Sequence, residues 1–220
     1  ESMKGKTNPY RNYYNWKSPA AIEALGIATR EATPDTWERK PWHEAIGNTE
    51  KYYGLFWKGM PDLNCDYPPV RQAIYEIGRY WLQMGVDGFR LDAARHIYPE
   101  WEEHKNYDFW VEFRTEMQKV NPSVYLVGEV WNAADKIAPY FRGLTANFNF
   151  DLSLALQKII AEERDTVHLV AMLAKNRQVF ARTNPRFIDA IMLTNHDQTR
   201  IGSVLGGNIN RLKVAANLLL

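Results

Sequence analysis

The amino-acid sequence predicts an α/β fold, and within that class part of a (β/α)8 barrel. Short apolar strand patterns alternate with amphipathic helix patterns along most of the chain, an order that builds a parallel sheet covered by helices. Polar residues follow three of the strands at their carboxyl ends, where the active sites of (β/α)8 enzymes are formed. Alternation alone leaves an open doubly wound sheet possible, and the polar strand ends favour the barrel.

Composition excludes several classes of protein. The 220 residues are 45% hydrophobic and 24% charged, a globular composition that excludes a disordered or fibrous chain. Lys and Arg number 27 against 26 Asp and Glu, for a net charge of +1, which argues against a nucleic-acid partner. The one cysteine, Cys65, excludes an internal disulfide, and no apolar run approaches the roughly 18 residues of a membrane span. Nothing in the sequence specifies an oligomeric state.

The first segment, residues 1–59, is turn-rich and aromatic and has no sustained helical or strand period. We interpret it as the remainder of an irregular inserted domain, ahead of a partial catalytic barrel in residues 60–220. The barrel part opens with an amphipathic helix, which begins at Pro68-Pro69 and ends before Gly85. Its apolar positions at three- and four-residue steps are Val70, Ala73, Ile74, Ile77, Trp81 and Met84.

Strand and helix patterns then repeat. Residues 86–92 are predicted to form a buried strand with polar residues at its end, residues 106–120 a helix, and residues 124–129 a second strand ending in Glu129. The later predicted elements are a short strand at 146–150, helices at 152–160 and 167–179, a strand at 187–194 and a helix at 209–220. A complete barrel takes about 250 residues, so we expect this chain to be a fragment that holds about strands 4 to 7 of eight.

Four short motifs resemble signature regions of the α-amylase family, glycoside hydrolase family 13. The second region is matched at residues 88–96 (GFRLDAARH), the third at 128–131 (GEVW) and the fourth at 193–198 (LTNHDQ). An extra signature that precedes the nucleophile strand is matched at residues 60–64 (MPDLN). Any one of these strings could arise by chance, but four in the correct order, three of them at strand ends, argue for true membership. The first signature is absent, which fits the expectation of a fragment.

The resemblance implies three catalytic carboxylates. Retaining cleavage of an α-glucosidic bond needs a nucleophilic carboxylate and a carboxylic acid roughly 5 Å apart, and the resemblance assigns these roles to Asp92 and Glu129. It further implies that Asp197, with His196, holds the hydroxyls of the distorted sugar. Arg90 lies two residues before Asp92 on the same side of the strand and is expected to keep it ionised.

Each assignment has an ordinary structural alternative. An Arg-x-Asp pair such as Arg90 and Asp92 is usually a structural ion pair, and Asp197 with His196 could form a helix cap or a metal site. Glu129 ends an apolar strand, where an unpaired carboxylate is costly, so function is already plausible there. The complete set of motifs favours catalysis at all three positions.

The resemblance also implies residues around the catalytic centre. Arg95, His96 and Trp131 are expected to line the outer part of a sugar-binding cleft. In calcium-binding members the Asp of the extra signature and a main-chain carbonyl contribute oxygen ligands, which correspond to Asp62 and His96, and oxygen donors suit that ion. An equally simple interpretation makes Asp62 a turn residue. No organic cofactor is expected.

The leading functional hypothesis is retaining hydrolysis of α-1,4-glucosidic bonds in starch or maltooligosaccharides. Neopullulanase-like or oligosaccharide-specific hydrolysis and α-glucan transglycosylation on the same site are alternatives. An inert carbohydrate-binding or interaction protein on the same scaffold is a third, although such relatives lose carboxylates that this chain keeps, and a metal-dependent hydrolase is a fourth. By resemblance we expect a secreted, periplasmic or cell-surface protein, and we expect the isolated fragment to have little or no activity.

Overall fold

The computed structural model describes residues 1–26, 40–164 and 166–219. The chain forms two compact units, one of Glu1–Gly85 with His96–Lys105 and the other of Val86–Arg95 with Asn106–Leu220. The last residue of the predicted C-terminal helix, Leu220, lies outside the described residues. None of the helices in the described part of the chain is both long and apolar enough to cross a membrane.

The first unit contains a small antiparallel sheet in the segment that the sequence predicted to be irregular. Its elements are β1 (Trp16–Lys17), α1 (Pro19–Ala24), β2 (Trp42–Glu44) and β3 (Lys51–Tyr53), with the strand order β1-β3-β2. Strands of two or three residues are too short to produce a recognisable alternation in the sequence. Their core is largely aromatic and apolar, and its buried members are Ile22, Trp42, Tyr53 and Leu55.

The predicted amphipathic helix is confirmed as α2 (Pro68–Gln83), with proline at its first positions. The residues that it buries are Val70, Tyr75, Gly78 and Leu82. Three positions of the predicted apolar series are instead exposed, namely Ile77, Trp81 and Met84. The helix therefore carries two apolar faces, and periodicity in the sequence cannot distinguish the buried one from the exposed one.

The second unit is built on a four-stranded sheet with the order β4-β5-β6-β7, in which all three neighbouring pairs are parallel. The strands are β4 (Gly88–Leu91), β5 (Tyr125–Gly128), β6 (Ala146–Phe148) and β7 (Ile188–Ala190). The helices are α3 (Glu103–Gln118), which belongs to this unit from Asn106 onwards, α4 (Ala134–Ile137), α5 (Phe150–Glu162), α6 (Thr166–Thr183), α7 (Ile201–Val204) and α8 (Ile209–Leu219). The predicted alternation of strand and helix is confirmed.

Strand register places the first two polar strand ends side by side. Leu91 of β4 pairs with Gly128 of β5, so Asp92 and Glu129 each follow a paired position at the same edge of the sheet. The main-chain amide of Glu129 continues the pairing by donating to the carbonyl of Leu91 at 2.9 Å.

Helix α5 packs against the later helices of this unit. Its buried residues Leu152, Leu156 and Ile160 recur every four positions and form one stripe, which packs with Leu169, Leu205 and Ala215. This cluster supports the segment between β7 and α7, which carries the third polar motif.

Candidate active site

Arg90 joins the first two predicted carboxylates. Its Nη1 donates to Oδ1 of Asp92 and its Nη2 to Oε2 of Glu129. The contact with Asp92 follows from the strand, where residues two apart point to the same side, and it agrees with the expectation from sequence. The contact with Glu129 was not foreseen. One planar guanidinium that binds two carboxylates holds them close together in a defined geometry.

Glu129 and Asp92 lie in different surroundings. The side chain of Glu129 is 15% exposed and that of Asp92 is 76% exposed. Burial is the main cause that raises the pKa of Glu129, and a hydrogen bond and charge repulsion from Asp92 raise it further, while the charge of Arg90 and the amide of Ala93 act in the opposite direction. Two neighbouring carboxyl groups with such different environments can hold a proton on one and a charge on the other.

The turn after Asp92 directs two main-chain amides towards Glu129. Ala93 has a φ of 42°, a left-handed conformation that is uncommon for a residue with a side chain. Its amide hydrogen-bonds to the carboxyl group of Glu129, and the amide of Ala94 donates to the carbonyl of Glu129 at 3.1 Å. Backbone conformations of this kind concentrate at functional sites. Sequence reasoning missed this feature, because alanine gives no signal for a positive φ.

The third predicted carboxylate lies on a loop. The structure ends β7 at Ala190, so the strand predicted for residues 187–194 is shorter than expected, and its last residues belong to the loop that carries Asp197. The carbonyl of Leu193 anchors this loop to α5 by accepting hydrogen bonds from Ser153 Oγ at 2.7 Å and Gln157 Nε2 at 2.5 Å.

Asn195 connects that loop to Glu129. Its Nδ2 donates to Oε1 of Glu129 at 3.4 Å, and its Oδ1 accepts from the amide of Asp197 at 3.1 Å. His196 Nε2 lies 3.3 Å from Oδ2 of Asp197, and both of these side chains are exposed. The structure thus brings Asp92 and Glu129 together directly and relates Asp197 to them through Asn195. Asn195 belongs to the fourth motif, but its place in the sequence indicated no role for it.

Two of the three predicted outer residues lie together. The ring of Trp131 stacks on the buried ring of Phe150, with centroids 4.4 Å apart and an interplanar angle of 9°, and Trp131 is 46% exposed. Arg95 Nη1 donates to the carbonyl of Trp131 at 3.4 Å. A fixed and partly exposed indole suits stacking on a sugar ring. His96 belongs to the first unit, where its ring contacts that of Phe56 edge-on at 5.5 Å.

The two predicted calcium ligands lie against adjacent residues of the first unit. Asp62 Oδ2 accepts a hydrogen bond from the amide of Leu55 at 3.2 Å, and His96 contacts Phe56. Burial raises the pKa of Asp62 to about 7, whereas a nearby cation would lower it by stabilising the charged form. Among the described residues no group of three His, Cys, Asp or Glu side chains could hold a metal ion. Calcium also takes main-chain carbonyl ligands, so calcium at Asp62 and His96 stays a prediction.

The similarity of the chain to known proteins also indicates the α-amylase family. The family model of the alpha amylase catalytic domain matches residues 1–220. The chain is 40% identical over 219 residues to "Alpha-amylase 3" of Dictyoglomus thermophilum, covering 100% of this chain and 40% of the relative. It is 28% identical over 224 residues to the "4-alpha-glucanotransferase" of Thermotoga maritima, covering 100% of this chain and 45% of that protein.

Among solved structures, the crystal structure of alpha-amylase from H. orenii superimposes with a TM-score of 0.85 and 39% identity. The superposition covers 99% of this chain and 43% of that one. The likeness confirms the predicted fold class, a partial (β/α)8 barrel. The chain spans about two fifths of the length of these relatives.

Proposed function

The chain belongs to the alpha-amylase family of glycoside hydrolases, and from this premise we propose that the whole protein cleaves α-1,4-glucosidic bonds of starch or maltooligosaccharides with retention of configuration. The observation that carries the proposal is the Asp92 and Glu129 pair. One guanidinium bridges the two carboxyl groups, which are close enough to hydrogen-bond to each other. This favours the separation of about 5 Å in retaining enzymes over the roughly 6.5–9.5 Å of inverting ones.

In the first step Glu129 acts as the acid. Burial raises the pKa of its carboxyl group and so favours the protonated form, and that proton passes to the glycosidic oxygen as the bond to the anomeric carbon breaks. Asp92 attacks the anomeric carbon from the opposite face and forms a covalent glycosyl ester. Arg90 contacts both groups and orients the Asp92 carboxyl group for the attack.

In the second step the roles reverse. Glu129, now a carboxylate, takes a proton from water while the water oxygen attacks the anomeric carbon and displaces Asp92. Two displacements restore the original α configuration. Asp197 and His196 hold the sugar hydroxyls, and contacts of this kind lower the barrier where they strengthen as the ring distorts. Trp131 supplies a stacking surface for a neighbouring sugar.

The stereochemistry of the first-formed product tests this mechanism. We expect proton NMR of the whole protein acting on maltopentaose to show the α anomer first, with the β anomer growing only by mutarotation. Prompt appearance of the β anomer would contradict the retaining assignment. The same reaction, followed by chromatography, is expected to show only shorter chains.

A transglycosylase is the second candidate, favoured by the similarity to a 4-alpha-glucanotransferase. The same covalent intermediate serves both reactions, because a sugar hydroxyl can replace water in the second step. Products longer than the starting maltooligosaccharide would identify this activity and would reduce hydrolysis to a side reaction.

We further propose that calcium stabilises the first unit through the Asp62 carboxylate and the main-chain carbonyl of His96. When bound, the ion would supply positive charge to the partly buried Asp62 and tie its loop down. Calcium at about 100 times its Kd adds about 2.7 kcal/mol of folding stability, so chelation is expected to lower Tm by several degrees. Asp62→Asn should abolish most of this difference.

The matched control for that experiment is Asp66→Asn. Asp66 is an exposed carboxylate of the same unit, paired with Lys105 at 3.0 Å, and its loss should leave the calcium response intact. A Tm that is the same with calcium and with chelator, or an Asp62→Asn protein that responds like the wild type, would contradict the site.

A further inference from the structure

Asn147 occupies a position that the catalytic proposal leaves unexplained. It is the middle residue of β6 (Ala146–Phe148), it is 1% exposed, and its strand partner is Gly128, the residue before Glu129. A fully buried amide is costly unless its hydrogen bonds are made. The partners of Asn147 therefore indicate why this position carries a polar side chain.

Both hydrogen bonds that Asn147 donates go to main-chain carbonyls. Its Nδ2 donates to the carbonyl of Phe148 at 2.8 Å and to the carbonyl of Val130 at 3.3 Å. Because both amide hydrogens are used on acceptors, the orientation of the amide is defined and its nitrogen and oxygen cannot be exchanged. Val130 is the residue directly after Glu129.

The other end of the Asn147 amide shows what this arrangement costs. Its Oδ1 is buried and accepts no hydrogen bond from the residues that the structure describes, an unfavourable state that an apolar side chain would avoid. Gly128 makes room for it, because a Cβ at that position would come within 2.9 Å of Oδ1 and 2.3 Å of the Leu144 side chain. Asn147 thus leaves its own side-chain oxygen without a hydrogen bond among the described residues, while its side-chain nitrogen holds the Val130 carbonyl.

The Val130 contact extends the strand pairing beyond its end. Pairing between β5 and β6 stops at Gly128 and Asn147, so Glu129 and Val130 lie past the ladder on that side. On the β4 side the main chain of Glu129 is held by the carbonyl of Leu91 and the amide of Ala94. The side chain of Asn147 supplies the corresponding restraint from β6, and the segment that carries Glu129 is held from both neighbouring strands.

We propose that Asn147 is a positioning residue for proton donation. By holding the Val130 carbonyl it keeps the carboxyl group of Glu129 on the line to the glycosidic oxygen, and it touches neither substrate nor reacting atoms. The inference rests on the proposed role of Glu129 as the acid. Misplacement of a catalytic group by about 1 Å can lower a rate by about 100-fold, so a single lost restraint at this point is enough to impair the acid step.

The test compares two leaving groups in the same protein sample. Cleavage of maltotetraose needs a proton on the leaving oxygen, whereas α-maltosyl fluoride departs with little help from an acid. In Asn147→Leu we expect kcat on maltotetraose to fall by about 10- to 100-fold. KM, and the rate on the fluoride in the presence of azide, which attacks the ester without a general base, should change by less than about threefold. The ratio of the two rates does not depend on how much of the protein is folded. If Asn147→Leu folds poorly, Asn147→Ser provides a second variant.

Asn184→Leu is the matched control. Asn184 lies before β7 in the same unit, and its Nδ2 donates to the carbonyl of Phe141 at 3.3 Å. This is a similar contact from an asparagine side chain to the main chain, but it holds no segment that carries a catalytic residue. Its replacement should lower Tm without changing the ratio of the two rates. Equal losses on both substrates in both Asn147 variants, or an unchanged ratio, would overturn the positioning role. If the wild type cleaves neither substrate, or if Glu129→Gln also leaves the ratio unchanged, the proposed function itself fails.

Discussion

Replacing Asp92 with asparagine in the whole protein is expected to lower kcat on maltooligosaccharides by roughly 10⁴-fold or more, as loss of a catalytic nucleophile does elsewhere. Asparagine has nearly the shape of aspartate, but its neutral amide oxygen is a poor nucleophile and cannot form the glycosyl ester. Because the Asp92 side chain is 76% exposed, the fold should tolerate the change. Calorimetric binding of maltotetraose should remain close to that of the wild type.

Asp108→Asn serves as the control for this substitution. Asp108 is an exposed aspartate paired with Arg142 at 3.2 Å in the same unit, so it matches the Arg90 and Asp92 pair in chemistry but lies in no proposed site. Exposed pairs of this kind contribute little to stability, and the turnover of Asp108→Asn should equal that of the wild type. Near-normal turnover in Asp92→Asn would remove Asp92 from the mechanism.

A covalent label gives a direct view of the same residue. A 5-fluoro-glycosyl fluoride slows both displacements and allows the ester to accumulate, so mass spectrometry of the digested wild-type protein should locate the added sugar on the peptide that contains Asp92. A metal-dependent hydrolase, the alternative that the sequence left open, forms no such ester. Label on another carboxylate would reassign the nucleophile, and the absence of any label would favour direct attack by water.

Replacing Glu129 with glutamine is expected to lower kcat on maltooligosaccharides by about 10²- to 10⁴-fold, the usual contribution of a general acid. Glutamine cannot donate a carboxylic proton, so formation of the ester from α-maltosyl fluoride should be affected far less. Azide needs no general base to attack the ester, and it should therefore restore turnover of the fluoride and give the α-glycosyl azide. Restoration that gives the β-azide, or none at all, would contradict the assignment.

The pH dependence provides a second measurement on Glu129. The wild type needs Glu129 protonated in the free enzyme, and burial raises its pKa above that of an ordinary glutamate. Activity should therefore persist through pH values at which an exposed glutamate is already ionised, and kcat/KM should decline as pH rises through the raised pKa. In Glu129→Gln this alkaline decline should disappear from the residual activity. Glu44→Gln, at an exposed residue paired with Lys51, should keep the wild-type profile.

Much of the fold and the identity of the candidate carboxylates could be predicted from the sequence. Helix α2 and strands β4 and β5 lie within a few residues of their predicted bounds, because local periodicity and prolines specify them. Arg90 was expected beside Asp92 because the two are separated by one strand repeat. The strand at residues 187–194 was predicted too long, since an apolar run does not reveal where pairing stops.

The apolar residues beside Glu129 could be read from the sequence, but its hydrogen-bond partners could not. Its carboxyl group receives Arg90 from 39 residues away and Asn195 from 66 residues away, while Asn147 holds the next residue from 17 positions further along the chain. These residues are too far apart in the chain for the local periodicity of a helix or strand to reveal the contacts. The same holds for the positive φ of Ala93 and for the choice of buried face in α2.

The sequence by itself determined the order of strands and helices and the placement of Asp92 and Glu129 at strand ends, because both depend on residues close together in the chain. Only the tertiary structure decided which of the two carboxyl groups is buried and which is exposed, and hence which one is suited to keep a proton. Burial and charge act through space, and the groups that bury, bridge and restrain Glu129 come from β4, β6 and the loop after β7. The difference in environment between Asp92 and Glu129 therefore arises only when the strands assemble into the sheet.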